Sequence, residues 1–349
     1  MNPFASNRLV APAPGHALGR FAFVMATGIV ATLLRSTGAD AAGNALFCIA
    51  AVAFAGLAAV AVVRLHTPSA LRAEVAAAGF TAMAVPAGTS VLAGYLALLG
   101  RTQPALAVGA AGMLLWLVLG YLVPAQRVID NTASAGADPL RGADGTWFLW
   151  GVATQSVAVV AGLLAPQLPG HGLAEVATLW WGLGMAQLVL VAALVAARMM
   201  LSPLHPGDEV APYWVFFGSA AISVLAGSEV AALPAEQRIV SADFVIAVCV
   251  CLWAFATWLA PLLIALTAWQ WRRSPGVAFF RLALWSIVFP VGMYGQATLR
   301  LGEATDIGWM AGVGHADAWV APALWVAVAV AMVCAVTGRR PQAPGGSGA

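Results

Sequence analysis

Long uncharged, mostly apolar runs alternate with short polar breaks along almost the whole chain. Between consecutive charged residues the runs cover 21–34, 41–63, 75–100, 102–126, 145–174, 176–197, 210–228, 244–271, 282–299 and 318–338. A helix needs roughly 20 mostly apolar residues to cross the hydrocarbon of a bilayer. Nine of the ten runs reach or approach that length. The first is short, so Arg20 must snorkel or sit in the first turn of its helix. The pattern predicts ten transmembrane helices, spans 1 to 10, and a function performed in or across a membrane.

Odd and even spans differ in their middles. Span 1 carries Ala26-Thr27-Gly28, span 3 Pro86-Ala87-Gly88-Thr89-Ser90 and span 5 Thr154-Gln155-Ser156. Span 7 carries Gly218-Ser219 and then Ser223, and span 9 Phe289-Pro290-Val291-Gly292. The even spans are mostly Ala, Val, Leu and Trp, with Gln187, Thr257 and Pro261 as exceptions. A helix breaker or a polar side chain at bilayer depth needs a partner or water, and lipid supplies neither. The odd spans are therefore expected inside and the even spans outside. Five helical hairpins, each with one inner and one outer helix, would then enclose a central path. Any single Ser, Thr or Gly could instead serve close helix packing; the contrast repeated over five hairpins is what favours the path.

Composition agrees. The chain is 62% hydrophobic and 9% charged, with a mean hydropathy of +0.89, against about 25% charged residues in soluble domains. The net charge of +2 says little about partners, but its distribution does. With ten spans, one side of the membrane receives Arg8, Arg20, Arg64, Arg72, Arg127, Arg141, Arg198, Arg272, Arg273, Arg281, Arg339 and Arg340; the other receives Arg35, Arg101, Arg238 and Arg300. Cytoplasmic loops are enriched in Arg and Lys, so both termini are expected in the cytoplasm of a plasma (inner) membrane protein. Residues 1–16 read as a cytoplasmic N-terminal segment, 17–338 as the membrane domain and 339–349 as a disordered cytoplasmic tail. Cys48, Cys249, Cys251 and Cys334 all fall inside predicted spans and read as small buried hydrophobes.

Four segments carry a resemblance: FAFVMATGIVATLL (21–34), WFLWGVATQSVAVVAGLLA (147–165), PYWVFFGSAAISVLAGS (212–228) and WSIVFPVGMYGQATLRL (285–301). Their order and spacing resemble the tellurite-resistance/C4-dicarboxylate transporter family, which includes plant slow anion channels and fungal malate and sulfite transporters. The resemblance implies an all-α polytopic protein with ten transmembrane helices as five hairpins around a central quasi-fivefold pore, commonly in a homotrimer. It also implies anion passage past an aromatic plug. The position matching the family's gating phenylalanine is Phe289, before Pro290. On its own residues Phe289 reads as a core side chain beside a kink; the resemblance makes it the gate.

No basic residue appears in any predicted membrane interior, so an anion would have to be solvated by hydroxyls, amides and backbone N–H groups. The candidate lining is Thr27, Gly28, Pro86, Thr89, Ser90, Gln155, Ser156, Ser219, Ser223 and Gly292. Arg20, Arg281 and Arg300 lie at span ends, as mouth charges or as headgroup anchors. Glu229 ends span 7, where it could pair with Arg300 or Arg238, face water or take a proton. Two mechanisms stay open: an aromatic-gated channel for small monovalent anions, and a carrier for C4-dicarboxylates, proton-coupled if Glu229 takes a proton, or for tellurite- or sulfite-type oxyanions. An enzyme is disfavoured, because His16, His66, His171, His205 and His315 are scattered over predicted loops and no HExxH, GxSxG or CxxC occurs. No cofactor, metal site or nucleic-acid partner is expected; the expected partners are small anions, lipid and further copies of the chain.

Overall fold

The computed structural model describes residues 17–132, 140, 142–202, 209–273 and 282–337. The 1–16 segment, the 339–349 tail and Arg281 lie outside the described residues. Every regular element among the described residues is helical, and ten helices are long and apolar enough to span a membrane. They are Leu18–Ser36 (span 1), Asp40–Arg64 (span 2), Pro68–Leu98 (span 3), Thr102–Asn131 (span 4) and Gly145–Gln167 (span 5). Gly172–Leu201 (span 6), Ala211–Ala231 (span 7), Ala242–Arg273 (span 8), Leu282–Thr305 (span 9) and Gly308–Val336 (span 10) follow.

The odd spans are the inner ones. Between 67% and 89% of their apolar windows is buried, against 6% to 33% in the even spans. Each even span packs on the odd span before it. Span 1 packs on spans 3 and 9, span 5 on spans 3 and 7, and span 7 on span 9, so the odd spans close into a ring. Small residues let the backbones approach. A Cβ on Gly28 would lie 2.6 Å from Val91 Cγ1, one on Gly218 2.9 Å from Pro290 Cγ, and one on Gly292 3.3 Å from Ile29 Cγ2.

Every odd span contains a 3-10 turn that runs straight into an α-helix, at its start in all but span 3: Leu18–Phe21, Gly79–Met83, Gly145–Phe148, Ala211–Tyr213 and Leu282–Leu284. Arg20 sits in the first of these turns, one of the two positions the short run left open. The same turn is tied down when Glu74 Oε1 accepts the Leu18 N–H at 3.0 Å. Span 3 starts earlier than the uncharged run implies. Thr67 caps Pro68–Ala78, accepting the Ala70 N–H at 3.2 Å, and that helix stops at Gly79 with φ +55°, a conformation glycine adopts at little cost. Pro86 is the third residue of the next helix, Ala84–Leu98, close to where the 3-10 turn passes into it.

Spans 9 and 10 meet closely near their shared turn. A Cβ on Gly302 would lie 2.6 Å from the Ala311 nitrogen and 3.2 Å from its Cα. Backbone cannot yield as a side chain can, so Gly302→Val is expected to cost about 1–3 kcal/mol, seen as a lower melting temperature in detergent. Gly312, which has open space where its Cβ would be, is the control; Gly312→Ala should leave the melting temperature unchanged or raise it.

Candidate functional site

One face of every odd span meets the others in a cavity of about 220 Å³, and every residue lining it belongs to spans 1, 3, 5, 7 or 9. Its floor is Ile29, Ser90, Ser156, Ile222 and Met293, one residue from each inner helix. Its mouth, toward the end opposite Ala17, holds Ser36, Leu98, Leu163, Glu229 and Arg300. On span 9 the lining residues Met293, Gln296 and Arg300 follow helical spacing, so they share one face. The same stripe continued one turn inward reaches Phe289, which is fully buried. At the corresponding turn the other inner helices present Met25, Pro86, Val152 and Gly218, all buried. Phe289 is the bulkiest of the five.

The floor and wall offer polar groups without partners. Ser90 Oγ and Gln296 Oε1 are buried and make no hydrogen bond among the described residues. Ser156 Oγ donates to Val152 O at 2.8 Å and Thr32 Oγ1 to Gly28 O at 3.0 Å. Both residues line the cavity. The mouth carries the cavity's full charges. Arg300 grips Glu229 with two parallel bonds, Nε to Oε1 at 2.9 Å and Nη2 to Oε2 at 3.2 Å. Its remaining arm donates to Glu303 at 2.8 Å. The Glu229 side chain is 6% exposed. Its place is shaped by span 5, where a Cβ on Gly162 would lie 2.8 Å from Glu229 Cβ.

The structure brings Ser90, Ser156, Glu229 and Arg300 of the sequence-derived candidates together around this cavity. It directs others elsewhere. Thr27 Oγ1 accepts from Trp325 Nε1 of span 10 at 2.9 Å. Thr89 donates to Val85 O at 2.8 Å, with its methyl beside Gly112 of span 4. Gln155 Nε2 donates to Trp181 O at 3.2 Å and to Ser223 Oγ at 3.1 Å. Ser223 donates to Ser219 O at 2.8 Å. Ser219 Oγ is buried without a partner, close to Gly151 of span 5. Gly28, Gly218 and Gly292 lie in the helix contacts already described, and Pro86 in the first turn of Ala84–Leu98.

A repeated device escaped the sequence reading: outer-helix tryptophans satisfy inner-helix threonines. Trp116 donates to Thr154 at 2.8 Å and Trp253 to Thr298 at 2.8 Å, as Trp325 does to Thr27. Thr154 in turn donates to Gln187 Oε1 at 2.6 Å, which accounts for the lone glutamine of span 6. The tryptophans of the even spans were the available signal. Removing one donor leaves a buried hydroxyl less well satisfied, so Trp116→Phe should cost about 1 kcal/mol, measured by thermal unfolding.

Two placements correct the sequence reading. Asp317 and His315 were taken as boundary or loop residues before span 10, but that helix begins at Gly308 and contains both. Arg300 lies five residues inside the end of span 9, at Thr305, and not at its tip. In each case a charged residue was read as a span boundary, whereas the folded chain holds it within the helix: Arg300 by pairing it, and Asp317 by packing it on span 9.

Residues 17–333 match the family described as SLAC1, voltage-dependent anion channel. A stretch of 146 residues is 40% identical to the uncharacterized membrane protein MT1776 of Mycobacterium tuberculosis (strain CDC 1551 / Oshkosh), covering 42% of this chain and 74% of that protein. The uncharacterized membrane protein Rv1735c of strain ATCC 25618 / H37Rv is similar to the same extent.

Proposed function

Because the chain belongs to the voltage-dependent anion channel family, we propose that its ring of odd spans encloses the path by which anions cross the membrane, with Phe289 as a plug. The observation that carries this reading is the cavity built from one face of each inner helix and ending one turn short of Phe289. A buried aromatic ring across a narrow apolar neck blocks ions sterically and by dewetting. Beyond the neck, Ser90 borders the cavity, with its Oγ beside Gly112 of span 4. Gln296 offers an amide whose N–H₂ can turn into the cavity, since its oxygen holds no bond there. Weak neutral donors of this kind let an anion enter and leave.

The arginine asymmetry supports an orientation with both termini in the cytoplasm and the charged mouth outside. The exposed apolar faces of the even spans would meet lipid and, as the family resemblance implies, neighbouring subunits of a homotrimer. Small monovalent anions fit the path best. One guanidinium shared between two carboxylates offers no paired positive site for a dicarboxylate.

The test is anion flux through the purified protein in proteoliposomes under chloride, nitrate, sulfite and malate gradients. Electrogenic flux of the small anions, absent from empty vesicles, is the expected result. Movement of malate alone, and only with a proton gradient, would replace the channel with a coupled carrier.

A further inference from the structure

Span 10 carries an acidic side chain far from its ends. Asp317 lies nine residues beyond Gly308, about 13 Å along the helix at 1.5 Å per residue. It is pressed against the backbone of span 9. A Cβ on Gly295 would lie 2.9 Å from both Cβ and Cγ of Asp317 and closer still to Oδ2. That oxygen is sealed from solvent and makes no hydrogen bond among the described residues.

Among the described residues no counter-charge faces it. From span 9 the Gly295 backbone adjoins the carboxyl group, and Tyr294 is the titratable side chain within electrostatic reach. The Tyr294 hydroxyl is already engaged with Thr257 of span 8 at 2.8 Å. Trp253 of span 8, the other nearby polar group, spends its N–H on Thr298. Span 1 touches span 10 through Thr27 and Trp325, both neutral. One turn away on span 10 itself stand Val313, Gly314 and Ala321. His315 is exposed, with its ring nitrogen on Ala311 O at 2.8 Å. The described ion pairs of span 9 belong to Arg300, with Glu229 and Glu303.

An acid held at this depth without a cation is a functional signal, because a desolvated charge is costly there. Its location gives the signal a direction. The far side of span 9 from Asp317 carries the stripe Phe289, Met293, Gln296 and Arg300. A change at the Gly295 contact therefore acts on the helix that bears the plug.

We propose that Asp317 is an intramembrane proton site that sets the position of span 9 and thereby gates anion flux. Protonated, the neutral carboxyl packs dry against Gly295 and holds Phe289 in the neck. When the proton leaves, the carboxylate draws water or a cation into the seam between spans 9 and 10, and span 9 is released. The structure, with Oδ2 sealed and Phe289 buried, corresponds to the protonated, closed form. The gating half of this proposal rests on the anion path proposed above; the proton site does not.

The two halves are read separately. Infrared difference spectra of the purified protein, taken from about pH 5 to about pH 9 with ¹³C-labelled aspartate, should show a protonated-carboxyl C=O band that shifts with the label, fades as pH rises and is missing in Asp317→Asn. In proteoliposomes wild-type flux should rise about tenfold or more over the same range, a typical coupling. Asp317→Asn should stay low and change less than about twofold. Gly295→Ala, which pushes the carboxyl away, should raise flux at acid pH. A band that survives in Asp317→Asn, or that never appears in wild type, overturns the proton site, and labelled wild type answers this even if the variant does not fold. A band that is lost while the pH dependence persists overturns the gating. If no variant, Phe289→Ala included, conducts anions at any pH, the anion-path reading fails while the band still decides the proton site.

Discussion

Phe289→Ala should raise anion flux by about tenfold or more, the rate equivalent of removing roughly 1.4 kcal/mol from the barrier. The ring has no accessible surface and lies one turn inward of Met293, a floor residue of the cavity. One helical turn inward from the other four floor residues lie Met25, Pro86, Val152 and Gly218, all buried. None of these carries a polar side-chain atom able to coordinate an anion, so the neck is closed by apolar volume. Removing the ring opens a gap that either stays dry or fills with water. If dry, the variant loses about 3–5 kcal/mol of stability and gains no flux. If wet, it loses less stability and conducts. The plug account requires the second result. Phe289→Leu, which keeps most of the apolar volume, should fall between wild type and alanine. Unchanged flux in a folded alanine variant would make Phe289 an ordinary packing residue.

Glu229→Gln should also increase anion flux, by roughly tenfold at low salt and less at high salt, because charges near water are screened. The mouth of the cavity holds one guanidinium and two carboxylates, a net negative entrance for an anion. Glu229 occupies the guanidinium face that an incoming anion would otherwise use, with bonds of 2.9 and 3.2 Å. The amide keeps the shape and one acceptor but gives up the charge, and Glu303 still bonds Arg300 at 2.8 Å. Arg300→Gln should do the reverse. It leaves Glu229, 6% exposed, with an uncompensated charge beside the path, which lowers both flux and stability. Glu303→Gln changes the net charge equally, but its side chain is 49% exposed, so its effect should be smaller than that of Glu229→Gln. Equal effects of the two would mean that only net charge matters and that the paired site has no role.

The number of spans and the inner position of the odd ones were legible because both depend on composition alone. Lipid rejects charge, and it rejects unpaired hydroxyls in a helix middle. Which way each hydroxyl points was not legible from composition. Thr27, Thr89 and Ser90 look alike as polar residues in inner spans, yet Thr27 and Thr89 turn toward outer helices, while Ser90 borders the cavity and still sets its Oγ beside Gly112 of span 4. Helical spacing held more information than polarity did. Counting from Phe289 in steps of four, three and four residues reaches Met293, Gln296 and Arg300, the wall of the cavity. Asp317 was hidden by treating every charge as the end of a span. An acid packed on a glycine, and an arginine shared between glutamates, both sit inside helices because the fold accommodates them locally.

Accessibility of single introduced cysteines tests the central claim most directly. In a background without Cys48, Cys249, Cys251 and Cys334, Ser156→Cys samples the cavity floor and Val152→Cys samples the level of Phe289. A small anionic thiol reagent added at the Arg300 side should modify the cysteine at 156 in either background. It should modify the cysteine at 152 only when Phe289 is alanine. Modification at 152 with the ring in place, or none at 156 in any background, would contradict a central path closed by Phe289.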